Sequence, residues 1–359
     1  MGVYMQQSQD AKVQAIVDRL LVDMEKELPP WRQPWSNKAE GLPVSGNTYR
    51  PYRGINTFIL WAAALNRGWA DNRFFTFAQV RKLKGKVKKD EPGTEVLLWR
   101  PAWCLPVKIN GKKWVYDKNQ LPKPRPKGIK EILLLRSFYV WNTDQCEGLP
   151  ARKQFPEDAL QTSSSDAEGL LIALRDVIGV NTVVTALKAC YNPGTDKITA
   201  PERRAFTSPE AYYSTMFHEY GHGSGHKTRL NRDLSGQFGS KEYAVEELTA
   251  ESSAAIVLAT LGLPYDTQHA AYMKNWASVL RGLPDAERRK AVLGALQRGQ
   301  RAADWVLSGG VQVASAAHDN QSEASIDQDP AVVTDGDGTI PAGNQEPVPA
   351  PTEALVNCA

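Results

Sequence analysis

The chain has no run of 18 apolar residues, so its 359 positions offer no membrane span. Met1 to Asp10 lacks the apolar core of a signal peptide. Cysteine is sparse: Cys104, Cys146, Cys190 and Cys358 are scattered, with no C-x-x-C pair. That argues against a disulfide framework and predicts reduced thiols in a cytoplasmic protein with no membrane partner. From Gly309 to Ala359 there is no Lys or Arg, against eight acidic residues. This stretch is rich in Pro, Asp, Gln, Ala and Thr, has no periodicity, and is expected to be a disordered acidic tail. Without it the mild net charge of +3 becomes 43 basic against 32 acidic residues, an excess of 11. The whole chain is 42% apolar with ten tryptophans, a globular composition long enough for two domains.

The densest chemistry lies between Phe206 and Glu251. Phe217-His218-Glu219-Tyr220-Gly221-His222 contains an H-E-x-x-H. On an α-helix, histidines four residues apart stand one turn apart on one face and can point at one ion. Thr207, followed by Pro209 and Glu210, reads as the capping-box start of that helix. The pair alone would also suit two hydrogen-bonded core histidines. A third ligand decides, because catalytic zinc takes three protein groups and leaves one position open. His226 lies about 12 Å along a straight helix from His218, too far to share an ion. Thr228 stands where a metzincin places its third histidine, which excludes that subclass. Gly221, Gly223 and Gly225 each weaken a helix by about 1 kcal/mol relative to Ala. The helix is therefore expected to end just after His222, freeing His226 to turn back towards the cleft. A better source of the third ligand is Ala244 to Glu251, where Glu246, Glu247 and Glu251 lead into the apolar Ser252 to Leu258. Carboxylates on a buried helix need partners or a metal.

These features resemble a gluzincin-type zincin, with two helix histidines and a glutamate on a following helix. In that resemblance the E-x-x-A-[DE] spacing puts the metal ligand at Glu247 and makes Glu251 a carboxylate that orients a ligand histidine. Glu246, about 100° round the helix, is the rival. Zinc is the expected ion, and manganese also suits two histidines and a glutamate. Glu219 is the expected general base. Tyr243 and His226 are candidates for supporting the developing oxyanion.

The N-terminal half reads differently. Val13, Ile16, Val17, Leu20, Leu21 and Met24 predict a helix over 11–28, stopped by Pro29-Pro30. Asn56 or Thr57 is expected to cap a second helix ending near Gly68, and a third covers Ala78 to Leu83. Between Arg81 and Arg136, sixteen Lys or Arg face five acidic residues. Strand-like runs lie at Glu95–Trp99, Lys113–Tyr116 and Ile132–Trp141, with Asn110-Gly111 as a hairpin turn. Eight of the ten tryptophans precede residue 156, interleaved with this charge. Basic grooves with aromatic platforms hold single-stranded nucleic acid without reading its sequence. Trp31, Trp35, Tyr52, Arg53, Lys82, Lys86, Lys88 and Lys89 are the candidate contacts, although core packing would equally explain any one of the aromatics. Further on, a helix is expected at Glu168–Val177 and a strand at Val183–Tyr191. Lys197–Ala200 reads as an edge strand able to take an extended peptide. Tyr272–Leu280 and Arg288–Val306 read as helices, with Trp276 and Trp305 as packing residues.

Pro30-Trp31, Pro34-Trp35, Tyr52-Arg53-Gly54-Ile55-Asn56, Thr76 to Gln79 and Gln145 to Pro150 follow in an order that resembles the ArdC antirestriction family. Lys82 to Thr94 fits the same pattern. In the second half, Tyr191-Asn192-Pro193, Phe206 to Tyr213, Ser224-Gly225-His226, Arg229 to Arg232 and Glu246 to Glu251 agree with it. Gly223 departs from it, where a tryptophan is common. The resemblance implies an α+β chain of two domains. Residues 1–155 would be a mixed helix and antiparallel-sheet domain binding single-stranded DNA. Residues 156–308 would be a zincin-like metallopeptidase domain, and residues 309–359 the tail. Such proteins belong to mobile elements and protect incoming DNA from restriction. The protein target is unidentified, a host restriction or defence factor being one class. A non-catalytic DNA-binding shield with a metal-stabilised scaffold is the other reading.

Overall fold

The computed structural model describes residues 2–25, 41–109, 112–117, 127–151, 164–184, 188–265 and 270–311. They form two compact units. One holds the described residues of 2–12 and 97–138, the other those of 13–96 and 139–311. In chain order the helices are α1 (Gly2–Glu25), α2 (Ile55–Arg67), α3 (Phe77–Lys82), α4 (Ser164–Val177), α5 (Pro209–Gly223), α6 (Lys241–Thr260), α7 (Ala270–Arg281) and α8 (Asp285–Leu307). The strands are β1 (Val44–Ser45), β2 (Arg73–Thr76), β3 (Lys86–Val87), β4 (Thr94–Ile109), β5 (Lys112–Asp117), β6 (Lys130–Asn142), β7 (Cys146–Glu147), β8 (Gly179–Thr182), β9 (Cys190–Asn192) and β10 (Lys197–Ala200).

In the first unit β4 and β5 pair antiparallel, Trp103 opposite Tyr116 and Ile109 opposite Lys112, with a register shift between Cys104 and Lys108. The Asn110-Gly111 turn lies outside the described residues. In the second unit β1 pairs parallel with β2, and β2 pairs antiparallel with the end of β6, Phe74 opposite Asn142.

In the second unit, local chemistry sets the element ends. Gly54, at φ 56°, precedes α2, so neither Asn56 nor Thr57 caps it. Thr57 lies inside the helix instead, and its hydroxyl donates to the Tyr52 carbonyl at 2.6 Å. Helix α3 starts one residue earlier than expected because Thr76 caps it. Thr76 Oγ1 accepts from the Gln79 N–H at 3.3 Å, and the Gln79 side chain accepts from the Thr76 N–H at 2.8 Å.

The core is built around α6, whose residues from Glu246 to Ala259 are all buried. Such a helix shows no amphipathic stripe, because every face meets protein. Two of its small polar groups bond within the helix: Thr249 donates to the Val245 carbonyl and Ser252 to the Thr249 carbonyl. Phe217 and Tyr220 of α5, Ala277 and Leu280 of α7 and Val292, Leu296 and Trp305 of α8 surround it. Val17, Leu20, Leu21 and Met24 of α1 and Phe58 and Trp61 of α2 belong to the same cluster. Each large apolar side chain buried in this way stabilises by about 1.5–3 kcal/mol. The expected boundary near residue 155 falls outside the described residues, and on either side of it the chain shares one core.

Two expectations are corrected beside the core. Of the expected strand Val183–Tyr191, the described residues 183, 184, 188 and 189 are not in a strand: β8 ends at Thr182 and β9 begins at Cys190. Nor is Lys197–Ala200 an edge. In the three-stranded sheet β8-β10-β9 it is the middle strand, parallel to β8 and antiparallel to β9. The edge beside the cleft is β9. Described residues run on to Val311, with Gly309 and Gly310 bonding back to Val306 and Trp305 to close α8. The acidic stretch beyond lies outside them.

Candidate metal centre and nucleic-acid face

Ser208, not Thr207, caps the histidine helix: its Oγ accepts from the Ala211 N–H at 3.0 Å, and Pro209 occupies the first helical position. The hydroxyl one residue nearer reaches the free amide. Helix α5 persists through Gly223, since Gly221 serves packing rather than ending the helix. A Cβ on Gly221 would stand 3.2 Å from both Cα and O of Ala250. This close approach of α6 carries Glu247 and Glu251 up to the histidines. At Gly223 a Cβ would meet Ile178 at 2.5 Å.

His218 Nε2 and His222 Nε2 stand 3.1 Å apart. Glu247 Oε2 lies 3.5 Å from the first and 3.7 Å from the second. A tetrahedral ion with ligands at about 2.1 Å has edges of roughly 3.4 Å, so these three atoms match one face of such a site. Among the described residues these three alone form a group of metal-ligating type. The other ring nitrogens meet carboxylates: His218 Nδ1 lies 3.3 Å from Glu251 Oε2, and His222 Nδ1 3.1 Å from Glu246 Oε1. With both Nδ1 atoms turned towards these carboxylates, the two Nε2 atoms and the Glu247 oxygen converge on one point. Three acceptors facing one another fit a divalent cation.

Electrostatics follow from this crowding. Burial disfavours the His222 imidazolium, but Glu246 and Glu247 outweigh it and raise the group to about 9. Burial acts likewise on His218, where Glu247 and Glu251 outweigh it and hold it well above its ordinary value. Burial works against the Glu247 charge, and the two histidines pull it far below the carboxylate range. Glu246, the rival ligand by sequence, is turned away from the convergence point. Arg232 grips it with two bonds, Nη2 to Oε1 at 2.7 Å and Nε to Oε2 at 2.9 Å. The same guanidinium donates to the Gly221 carbonyl and to Ser224 Oγ, both at 2.7 Å. Arg232 was not legible as a site residue, because its partners lie on two different helices.

Glu219 is buried beside the histidines, and its Oε2 accepts from the Tyr191 N–H of β9 at 2.6 Å. The cleft over these groups has a volume of about 370 Å³ and is walled by Cys190, Pro193, Leu234, Phe238, Tyr243 and Trp276. Tyr243 thus stands at the cleft, its ring 5.4 Å from that of Phe238. Trp276 is buried but also faces the cleft, whereas Trp305 is core only. His226 does not turn back. Its Nδ1 lies 2.8 Å from Thr228 Oγ1 and 3.9 Å from Asp196 Oδ2, on a network of Arg229, Asp196 and Tyr191 away from the donor triad.

The expected DNA contacts divide. Trp31 and Trp35 lie outside the described residues. Tyr52 is buried edge-on against Phe74, so its ring presents no free face. Arg53 pairs with Asp304 at 2.5 Å. Lys82, Lys86, Lys88 and Lys89 are exposed, and Lys88 Nζ donates to the Asp144 carbonyl at 2.8 Å. The structure adds aromatics beside them. Phe77 and Tyr139 are 51% and 46% exposed, unusual for rings of that size. Trp141 stands 5.8 Å from Phe77, its Nε1 donating to the Glu91 carbonyl. Gly93 permits this contact, since a Cβ there would meet Trp141 at 2.8 Å and Tyr139 at 3.0 Å. Tyr139 and Trp141, two apart on a strand, share a face; that periodicity was the available signal.

A paired-histidine helix backed by a glutamate helix, beside a small sheet, defines a zincin-like metallopeptidase domain, and the model of that family matches residues 171–292. The model of the N-terminal domain of anti-restriction factor ArdC matches residues 10–141. Two crystal structures of the antirestriction protein ArdC from plasmid R388 are similar. The metal-free form is 29% identical at a TM-score of 0.64, covering 83% of this chain and 97% of that one. The Mn(II)-bound form is 30% identical at 0.61, covering 83% and 98%. The chain belongs to the ArdC-type antirestriction family. The protein y4eC of Sinorhizobium fredii is 30% identical over 298 residues, 81% of this chain and 90% of that one. A DNA primase TraC of Escherichia coli is 35% identical over 281 residues, 76% of this chain but 18% of the primase.

Proposed function

We propose that this protein is a metal-dependent peptidase of an antirestriction system, brought to an unidentified protein target by single-stranded DNA. One observation carries the reading: a complete base, Glu219, is held beside three converging donors, His218, His222 and Glu247. Zinc or manganese suits that donor set, and a divalent cation there would lower the pKa of a bound water towards about 7. The chain's own residues do the rest. Glu251 and Glu246 hold the two imidazoles with Nε2 inward. The Tyr191 N–H fixes the Glu219 carboxylate, which takes a proton from water and passes it to the leaving amine. Leu234, Phe238 and Tyr243 exclude solvent around the scissile bond. On the N-terminal side, the Phe77–Trp141–Tyr139 surface and the exposed lysines supply stacking and charge for single-stranded DNA.

The non-catalytic shield is supported by a different observation. Helices α1 and α2 share the core of α5 to α8, so the metal domain also acts as a scaffold for the N-terminal half. Glu219→Gln separates the readings. It removes the base and keeps size, so metal content and folding are expected to survive while peptidase activity falls by about 10²–10⁴-fold. His218→Ala removes a donor, and metal is lost. For a working peptidase, both changes abolish protection of incoming DNA in cells. Full protection by a metal-replete Glu219→Gln protein would establish the shield instead.

A further inference from the structure

Behind Glu246 lies a second cavity of about 430 Å³ that the metal chemistry does not use. Glu246 lines both this cavity and the metal cleft. Three guanidiniums, those of Arg232, Arg298 and Arg301, reach it. Arg232 is engaged in its two bonds to Glu246. Arg298 is half-buried, and among the described residues no carboxylate forms an ion pair with it or with Arg301. The charges acting on Arg298 are Glu246, already shared by Arg232 and His222, and then the like charges of Arg232 and Arg301. Burial opposes its charge further. Asp233 and Glu242 also line the cavity but are exposed, and the Asp233 carboxylate accepts from the N–H and hydroxyl of Ser235. Arg232 and Arg298, both half-buried, thus share one inward carboxylate, with Arg301 at the exposed rim. Like charges gathered in a half-buried cavity repel, and an anion offsets that repulsion. A guanidinium fork takes two oxygens at once, and phosphate has enough oxygens to serve two forks where a carboxylate serves one.

We propose that this cavity binds a phosphate group through Arg298 and Arg301. The group is either a free phosphate or a backbone phosphodiester of DNA. Bound there, it competes with Glu246 for Arg232, which links its occupancy to the carboxylate that orients His222.

The test uses the full-length, metal-free protein, which rules out phosphate bound to the metal. Inorganic phosphate is titrated calorimetrically at constant ionic strength, and an oligothymidylate is titrated separately in chloride buffer. Arg298→Gln and Arg301→Gln are each expected to weaken phosphate binding at least about tenfold, one hydrogen-bonded charge contact being worth that much. Arg298→Lys, which keeps the charge but loses the fork, should fall between. Unchanged melting midpoints in phosphate-free buffer would show that the variants are folded. If the double Gln variant also binds the oligonucleotide less tightly, with a salt slope shallower by about 0.7 per phosphate lost, the occupant is a phosphodiester. Loss of inorganic phosphate binding alone identifies a free phosphate. The proposal is overturned if the parent shows no saturable phosphate binding, or if both Gln variants bind phosphate and oligonucleotide as the parent does.

Discussion

Glu246 and Glu247 are neighbours in the chain and face different tasks. A hundred degrees of helix rotation separates them, about the width of one ligand, so only the crossing of α5 over α6 tells them apart. Glu247 meets both Nε2 atoms, while Glu246 meets His222 Nδ1 and Arg232. Removing Glu247 as Glu247→Gln should therefore abolish stoichiometric metal binding, and Glu246→Gln should weaken it about 10–100-fold. Competition with a chromophoric chelator measures both; a larger loss with Glu246→Gln would reverse the assignment. The histidines add a pH dependence. In the metal-free protein His218 and His222 are raised above the ordinary 6.5, His222 to about 9. Their contribution to stability is then fully present below pH 6.5 and lost as pH rises through about 9. Metal must displace those protons, so its affinity should climb over the same interval. Melting of chelator-treated protein from pH 6 to 9 checks the first half. A midpoint that does not fall would sink it.

At the scale of elements, Gly221 sets the distance between the histidine helix and the glutamate helix. Its helix-weakening cost of about 1 kcal/mol is offset by the approach it allows. Gly221→Val would drive a branched side chain into Ala250, destabilising by about 1–3 kcal/mol and spreading the donor triad. Denaturant midpoint and metal content should fall together; normal metal uptake by a destabilised variant would show that the crossing does not position the ligands. The aromatic face makes a separate prediction. Phe77→Ala and Tyr139→Ala should each weaken oligothymidylate binding by about 1–3 kcal/mol, the worth of one stacked base. Tyr52→Phe, at a buried ring, should leave it unchanged. Fluorescence anisotropy distinguishes the three, and an effect confined to Tyr52 would move the DNA site elsewhere.

Across the whole molecule, charge is divided unevenly. The stretch 312–359 carries the eight acidic residues and no Lys or Arg. Blocks of one sign act on oppositely charged surfaces within a Debye length. Deleting residues 312–359 should tighten oligonucleotide binding at low salt, with the gain disappearing at high salt and the melting temperature nearly unchanged. Equal affinity at low salt would show that the tail does not compete. The cut belongs after Val311, because Gly309 and Gly310 close α8 and Gly310 packs on Trp305. The shared core bears on dissection too: residues 1–155 alone would expose the faces of α1 and α2 that meet α5 to α8, so DNA binding is best measured on the full chain.

Sequence by itself determined what depends on short-range repetition. Helix period placed His218 and His222 on one face, and the run of apolar positions marked α1. Strand-like runs at Glu95, Lys113 and Ile132 marked the hairpin sheet, and charge counting separated the basic half from the acidic tail. Tertiary structure decided whatever depends on contacts between distant segments. It chose between Glu246 and Glu247 by the angle at which two helices cross. It made β9 the open edge and β10 the middle strand, because three residues of sequence cannot reveal which side of a strand is covered. It buried Tyr52 and exposed Phe77, two aromatics of similar hydrophobicity whose fates depend on what packs above them. It sent His226 to Asp196, 30 positions away in the chain. Local periodicity specifies which face a side chain lies on, and only packing specifies what that face meets.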